Sequence, residues 1–162
     1  MDNKDILSHL ESGIAEIIAD NTSTNQKERY LVFQIEQKFY AFLSSLVKEV
    51  IIDSEIFFLP FVPPYIRGLL NRHGEPYTVI DLKMILEKES FRAQKFLILN
   101  LSRDHLAISI TDIVEILEIN SDQIHRLSSS ETEYFSCSFT MNEEEVPVLD
   151  LKHILKRLEN DL

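Results

Sequence analysis

The chain is short of glycine, cysteine, tryptophan and basic residues, and each shortage closes off a class of function. Three glycines in the whole chain (Gly13, Gly68 and Gly74) cannot compose a phosphate-cradling GxGxxG or Walker loop. No GxSxG elbow can be written either. The single cysteine, Cys137, cannot form an internal disulfide and belongs to no CxxC pattern; it reads as a small, half-buried apolar residue in a reducing compartment. Lysine and arginine number 16 against 27 acids, a formal net charge of −11. That balance disfavours nucleic acid, whose phosphates need clustered cations, and equally an anionic membrane surface. The longest apolar run, Ile56 to Ile66, is punctuated by Pro60, Pro63 and Pro64. It falls short of the ~20 residues of a membrane helix. The N-terminus, Met1-Asp2-Asn3-Lys4-Asp5, precedes no apolar signal core. A cytoplasmic protein with no direct membrane insertion is the expectation.

Catalytic and metal chemistry are equally absent from the pattern. His9, His73, His105, His125 and His153 are scattered without ligand spacing, so no metal or cofactor is expected. Asp81 and Asp150 could be drawn as paired acids, but their identical local contexts favour two equivalent helix caps. Glu143-Glu144-Glu145 reads as a solvated turn. The expectation is therefore not an enzyme.

What is present is apolar patterning of two kinds. Ile6, Leu10, Ile14, Ile17 and Ile18 recur at helical spacing, with Glu11, Glu16 and Asp20 largely off the stripe. Residues 1–27 thus read as an amphipathic helix and a polar linker, either docking a partner or capping the chain's own domain. From Tyr30 the texture becomes β-branched and aromatic. Strands are expected at Tyr30–Ile35, Phe39–Leu43, Leu46–Ile52 and Tyr77–Ile80, with a short extended segment at Phe57–Pro60 and with Tyr65–Asn71 leading into the next turn. A turn is expected at His73-Gly74, and a short helix after Asp81.

The strongest feature is an internal repeat. Tyr30–Ile51 lies on Phe96–Leu117 without a gap, with Ala41 on Ala107, Val47 on Ile113 and Glu49 on Glu115. Val79–Leu86 lies on Val148–Leu155 with six of eight residues identical, and the order of the two blocks is kept. One unit is therefore used twice. Each copy is a run of short strands ended by a capped helical turn, and about 60 residues is marginal for a separate core. Small antiparallel barrels that share a core satisfy both facts. The second copy ends in a helix over 150–160, with Leu151, Ile154, Leu155 and Leu158 on one face. Phe57, Phe58, Phe61, Val62 and Tyr65 are either core between the copies or an exposed patch for a partner.

These residues carry a resemblance. Tyr30-Leu31-Val32-Phe33, Phe39-Tyr40-Ala41-Phe42, Val47-Lys48-Glu49-Val50, Pro63-Pro64-Tyr65-Ile66-Arg67-Gly68-Leu69-Leu70-Asn71 and Val79-Ile80-Asp81-Leu82-Lys83 resemble the CheW family of bacterial chemotaxis coupling proteins. The likeness runs from about 28 to 160. It implies a mostly β fold of two SH3-like five-stranded β-barrel subdomains sharing a core, about 28–90 and 95–150, with helices at both ends. It also implies a non-enzymatic adaptor in chemoreceptor arrays. Its partners would be the regulatory domain of the histidine kinase CheA, the cytoplasmic tips of chemoreceptors, and other CheW-like proteins in array rings. An apolar groove between the barrels would take the receptor helices. Val47 and Glu49 match receptor-contact positions, Gly68 and Asn71 the turn region supporting them, and Ile113 and Ile116 second-barrel positions tied to the groove. His73 stands where the family usually has an arginine that pairs with the glutamate matching Glu49. His73 can donate a hydrogen bond to Glu49, and Arg72, one residue earlier, is the alternative partner, although on a regular strand it would point to the other face. Phe57, Phe58 and Phe61 replace commonly polar residues and form a candidate partner patch. Alternatives are a paralogue serving another motility or pilus pathway, and a small-barrel ligand-binding module with a deep polar pocket.

Overall fold

The first strand, β1 (Lys27–Ile35), shows no polar alternation in Tyr30–Ile35 because it is buried on both faces. Tyr30 and Val32 point into one apolar cluster, while Leu31, Phe33 and Ile35 point into another. This is the organising fact of the fold. The computed structural model describes residues 26–128 and 133–162. The helix read over residues 4–20 lies outside them.

After β1 come β2 (Lys38–Leu43), a 3-10 turn at Ser44–Leu46, β3 (Val47–Ile52), β4 (Ile66–Arg72), β5 (Glu75–Ile80) and the short helix α1 (Leu82–Glu87). The second half follows with β6 (Lys95–Leu99), β7 (Leu106–Ile110), β8 (Asp112–Asn120), β9 (His125–Arg126), β10 (Phe135–Met141), β11 (Glu144–Leu149) and the helix α2 (Leu151–Asp161). The strands read from sequence all form. Phe57 makes only an isolated bridge to Leu69, since the prolines behind it prevent a ladder.

Two sheets result, ordered β8-β1-β2-β11-β10-β9 and β3-β6-β7-β5-β4. Neither is built from one repeat. The first hairpin of the first copy, β1–β2, sits among strands of the second copy, and β6–β7 sits among strands of the first. The repeat places the same contact twice. Ala41 of β2 faces Val148 of β11, and Ala107 of β7 faces Val79 of β5, both in parallel register. Both alanines are fully buried, so a larger side chain would have to displace core atoms.

Closed five-stranded barrels were the sequence expectation. What forms is one five-stranded sheet and one six-stranded sheet, the extra strand being the two-residue β9. Among the described residues no ladder closes either sheet, and β3 and β4 remain the edges of the smaller one. A central core lies between the sheets and under both helices, with Phe33, Phe42, Leu97, Ile108, Leu82 and Ile154 among its members. Each sheet also has a smaller cluster on its far face, around Phe139 in one and Leu70 in the other.

Both helix caps form as the repeat implies. The Asp81 carboxylate accepts from the backbone N–H of Met84 at 3.2 Å, and that of Asp150 from Lys152 at 3.0 Å. They differ in burial, because Asp81 has no exposed surface while Asp150 is partly open.

Candidate functional site

Glu49 lies on β3 with its side chain on the same face as buried Ile51, by strand alternation. Arg72 ends β4 on the same face as buried Gly68 and Leu70. The two inward faces meet, and Arg72 Nη2 lies 2.6 Å from Glu49 Oε1. An ion pair therefore spans the seam between the sheet's two edges, where no ladder runs. Arg72, and not His73, is the partner of Glu49. β4 ends at Arg72, and His73 has already entered the left-handed region at φ 53°, where the turn carries it outward into solvent.

Gly68 has a mechanical role. Its φ is 141°, and a Cβ built there would lie 2.3 Å from the carbonyl oxygen of Phe57. That oxygen accepts from Leu69 N–H at 2.8 Å, and Phe57 N–H donates to Leu69 O at 2.7 Å. A side chain at position 68 would push the Phe57 segment off β4. Gly68 thus holds the loop that carries the aromatic cluster. In that loop Val62 and Tyr65 turn inward, Phe57 is half exposed, and Phe58 and Phe61 stand in solvent, with Phe58 83% exposed. Exposed Ile52 of β3 adds to the apolar surface of the same sheet.

The remaining sequence-derived positions divide between the sheets. Val47, Glu49, Gly68 and Asn71 belong to the five-stranded sheet, with Asn71 exposed on its outer face. Ile113 and Ile116 belong to β8, the outer edge of the other sheet. Val47 and Ile113 both pack against the central core, whereas Ile116 is 58% exposed. Exposed Val114 neighbours Ile116 on that edge and gave no sequence signal beyond β propensity. The sequence offered Arg72 as an alternative to His73; its place on the face of Gly68 and Leu70, and the approach of β3 to β4, make it the partner.

A second cluster lies at the C-terminal helix. The Tyr65 hydroxyl donates to Asp161 at 2.7 Å, Arg157 stacks over the Tyr65 ring at 5.3 Å, and Arg157 Nη1 donates to the Tyr134 hydroxyl at 2.7 Å. The Tyr65 hydrogen bond, with help from Arg157, holds the Asp161 carboxyl below the usual carboxylate range. Burial drives the Tyr65 hydroxyl upward. Burial also raises Asp81, against the opposing effect of its backbone hydrogen bonds. These groups tie elements together, and none converges on a polar pocket. Among the described residues no cluster of three metal-ligating side chains exists, and no helix is long and apolar enough to cross a membrane.

The fold and these surfaces define a scaffold: paired sheets around one core, with apolar surface left on an edge strand and on a loop. The family model for the CheW-like domain matches residues 29–159, and the chain belongs to that family, whose members are non-enzymatic adaptors of chemotaxis. The crystal structure of the scaffolding protein TtCheW from Thermoanaerobacter tengcongensis has the same fold, with a TM-score of 0.69 at 18% identity over 77% of this chain and 90% of that one. No curated protein matches the chain.

Proposed function

We propose that this protein couples the cytoplasmic tips of chemoreceptors to the histidine kinase CheA. In this reading each curled sheet stands for one of the family's small barrels. The ion pair that draws the β3 and β4 edges together supports that view. The receptor tip is a helical hairpin, and Val47, Glu49, Asn71 and His73 with Ile113 and Ile116 form the surface that receives it. Apolar anchors supply affinity, and the Glu49 charge sets register. Gly68 contributes by holding the loop beneath. The kinase regulatory domain meets an outer sheet face, and other CheW-like chains meet this one in array rings. The protein works in the cytoplasm and reaches the membrane only through the array.

The observation that carries this reading is the Arg72–Glu49 pair. It keeps a glutamate fixed at the position the family uses, although the usual arginine position holds His73. The exposed Phe57, Phe58 and Phe61 favour a second reading, a specialised paralogue whose partner covers that loop. A pull-down with CheA and receptor tips from the same cell tests the first reading. Retention of both supports it, and retention of neither ends it. Retention of a pilus-type receptor alone would favour the second.

A further inference from the structure

The segment around Phe57 adds a short outer rung to the five-stranded sheet. Phe57 donates to the Leu69 carbonyl and accepts from the Leu69 N–H, so both of its backbone groups face β4. In an antiparallel ladder the residues on either side aim their groups the opposite way. Ile56 and Phe58 therefore turn their N–H and C=O outward, and neither backbone is hydrogen-bonded among the described residues. Pro60, Pro63 and Pro64 keep the rung short. An open edge flanked by exposed apolar side chains is a template for another strand. Phe57 is 53% exposed, Phe58 83%, and Phe61 stands wholly in solvent. Phe61 is also held at φ 58°, a costly conformation for an aromatic residue, and its ring joins none of the core clusters.

We propose that this rung is a self-association edge, on which two copies of the chain pair antiparallel across a two-fold axis at Phe57. Ile56 of each copy exchanges backbone hydrogen bonds with Phe58 of the other, and the two Phe57 rings form a cross-strand pair. Three observations select a second copy as the occupant. The rung is its own complement, because the outward groups of Ile56 and Phe58 flank Phe57 symmetrically. The area suffices. At roughly 200 Å² per aromatic side chain, the three rings expose about 480 Å² on each copy, so mutual cover removes about 1,000 Å², where specific interfaces begin. Charge permits it, even in a chain of net charge −11, because residues 56–66 carry no charged side chain. Glu55 and Arg67 flank that run with opposite signs, and neither is in an ion pair among the described residues. The antiparallel bridge of Phe57 to Leu69 puts Arg67 at the Leu59 end of the rung. The two-fold axis thus carries the Glu55 end of one copy to the Arg67 end of the other. Such a contact closes on itself, unlike the head-to-tail contacts of a ring. It uses neither β8 nor Glu49, so it stands or falls apart from receptor coupling.

Sedimentation equilibrium of the purified full chain tests the pairing. The expected result is a reversible monomer–dimer equilibrium in the micromolar range. Phe58→Lys combined with Phe61→Lys is expected to weaken it about ten-fold or more, with Tm unchanged because both rings lie in solvent. A monomer alone up to about 1 mM overturns the proposal. A dimer that the double variant retains, or an open-ended assembly, overturns it too. Self-association that appears only on adding receptor tips or kinase does the same. Oxidative cross-linking in a Cys137→Ser background reads the register, at a concentration where the dimer is populated. Residues opposed across a non-hydrogen-bonded antiparallel pair lie within disulfide reach. Phe57→Cys is expected to give a covalent dimer. Glu55→Cys, whose two copies are displaced by roughly 13 Å along the strand, is expected to give none. Linking at Glu55→Cys, or failure to link at Phe57→Cys, overturns the proposal.

Discussion

Arg72 and Glu49 sit on opposite edges of one five-stranded sheet, and their side chains meet at 2.6 Å. The sheet is curled until its edges approach, and an ion pair occupies the seam that no backbone ladder closes. The pair is partly exposed, which bounds its worth. A double-mutant cycle on Glu49→Ala and Arg72→Ala is expected to give a coupling of about 0.2–1 kcal/mol by denaturant unfolding. The larger effect falls on binding. Glu49→Lys is expected to weaken receptor-tip affinity by more than the small stability loss from the broken ion pair accounts for, and a titration calorimeter reading equal affinities would contradict the assignment of Glu49.

Gly68→Ala should act on the Phe57 loop. The added methyl meets the Phe57 carbonyl in a backbone conformation that already disfavours a side chain. Left-handed strain of this kind costs about 1–3 kcal/mol. The expected outcome is a fall of several degrees in Tm. Exchange of the Leu69 amide, which bonds to Phe57, should accelerate more than that of Leu70.

Asp81 should make stability depend on pH in an unusual direction for a carboxylate. Burial raises its folded-state pKa. Its favourable contribution is complete below the ordinary carboxylate range and is lost as pH rises through the folded value. Asp81→Asn keeps a cap without the buried charge, so it should gain on the wild type as pH climbs from about 4 towards neutrality. Asp81→Ala removes the cap and should cost about 0.5–2 kcal/mol. Urea unfolding across pH reads both.

Asp161 should do the opposite. Its pKa is lowered chiefly by the Tyr65 hydroxyl. The stability it adds is present above the ordinary carboxylate range and fades as pH falls through its folded value. Tyr65→Phe should move the Asp161 titration upward towards the usual range, as followed by carboxyl carbon shifts in NMR.

The exchanged hairpins predict the behaviour of fragments. A chain of residues 28–90 lacks β6 and β7, the centre of its sheet. Alone it should show no cooperative melt. Mixed with residues 91–162, it should regain one. Cooperative unfolding of 28–90 by itself would contradict the exchange.

Much of this was legible because local rules act locally. The caps Asp81 and Asp150, the His73-Gly74 turn and the strand positions follow from residue type and spacing. Arg72 shows where such reading stops. Alternation along β4 says which face it occupies, but not that β3, at the far edge, curls round to meet it. The Phe57–Phe61 run shows a second limit. Its apolar content suits a core or a partner surface equally, and only the packing of Tyr65 and Val62 leaves Phe58 and Phe61 outside.

By itself the sequence determined that one strand-rich unit occurs twice, that each copy ends in a capped helix, and that phosphate-loop and disulfide chemistry have no residues to stand on. Periodicity and composition are properties of neighbours along the chain, so these could be read directly. Only the tertiary structure decided that the copies exchange their first hairpins, so that Ala41 packs on Val148 and Ala107 on Val79. A duplicated sequence makes the contact within a copy and the contact between copies chemically equivalent. The choice between them rests on chain connectivity and on the shared core, and no local pattern carries that information.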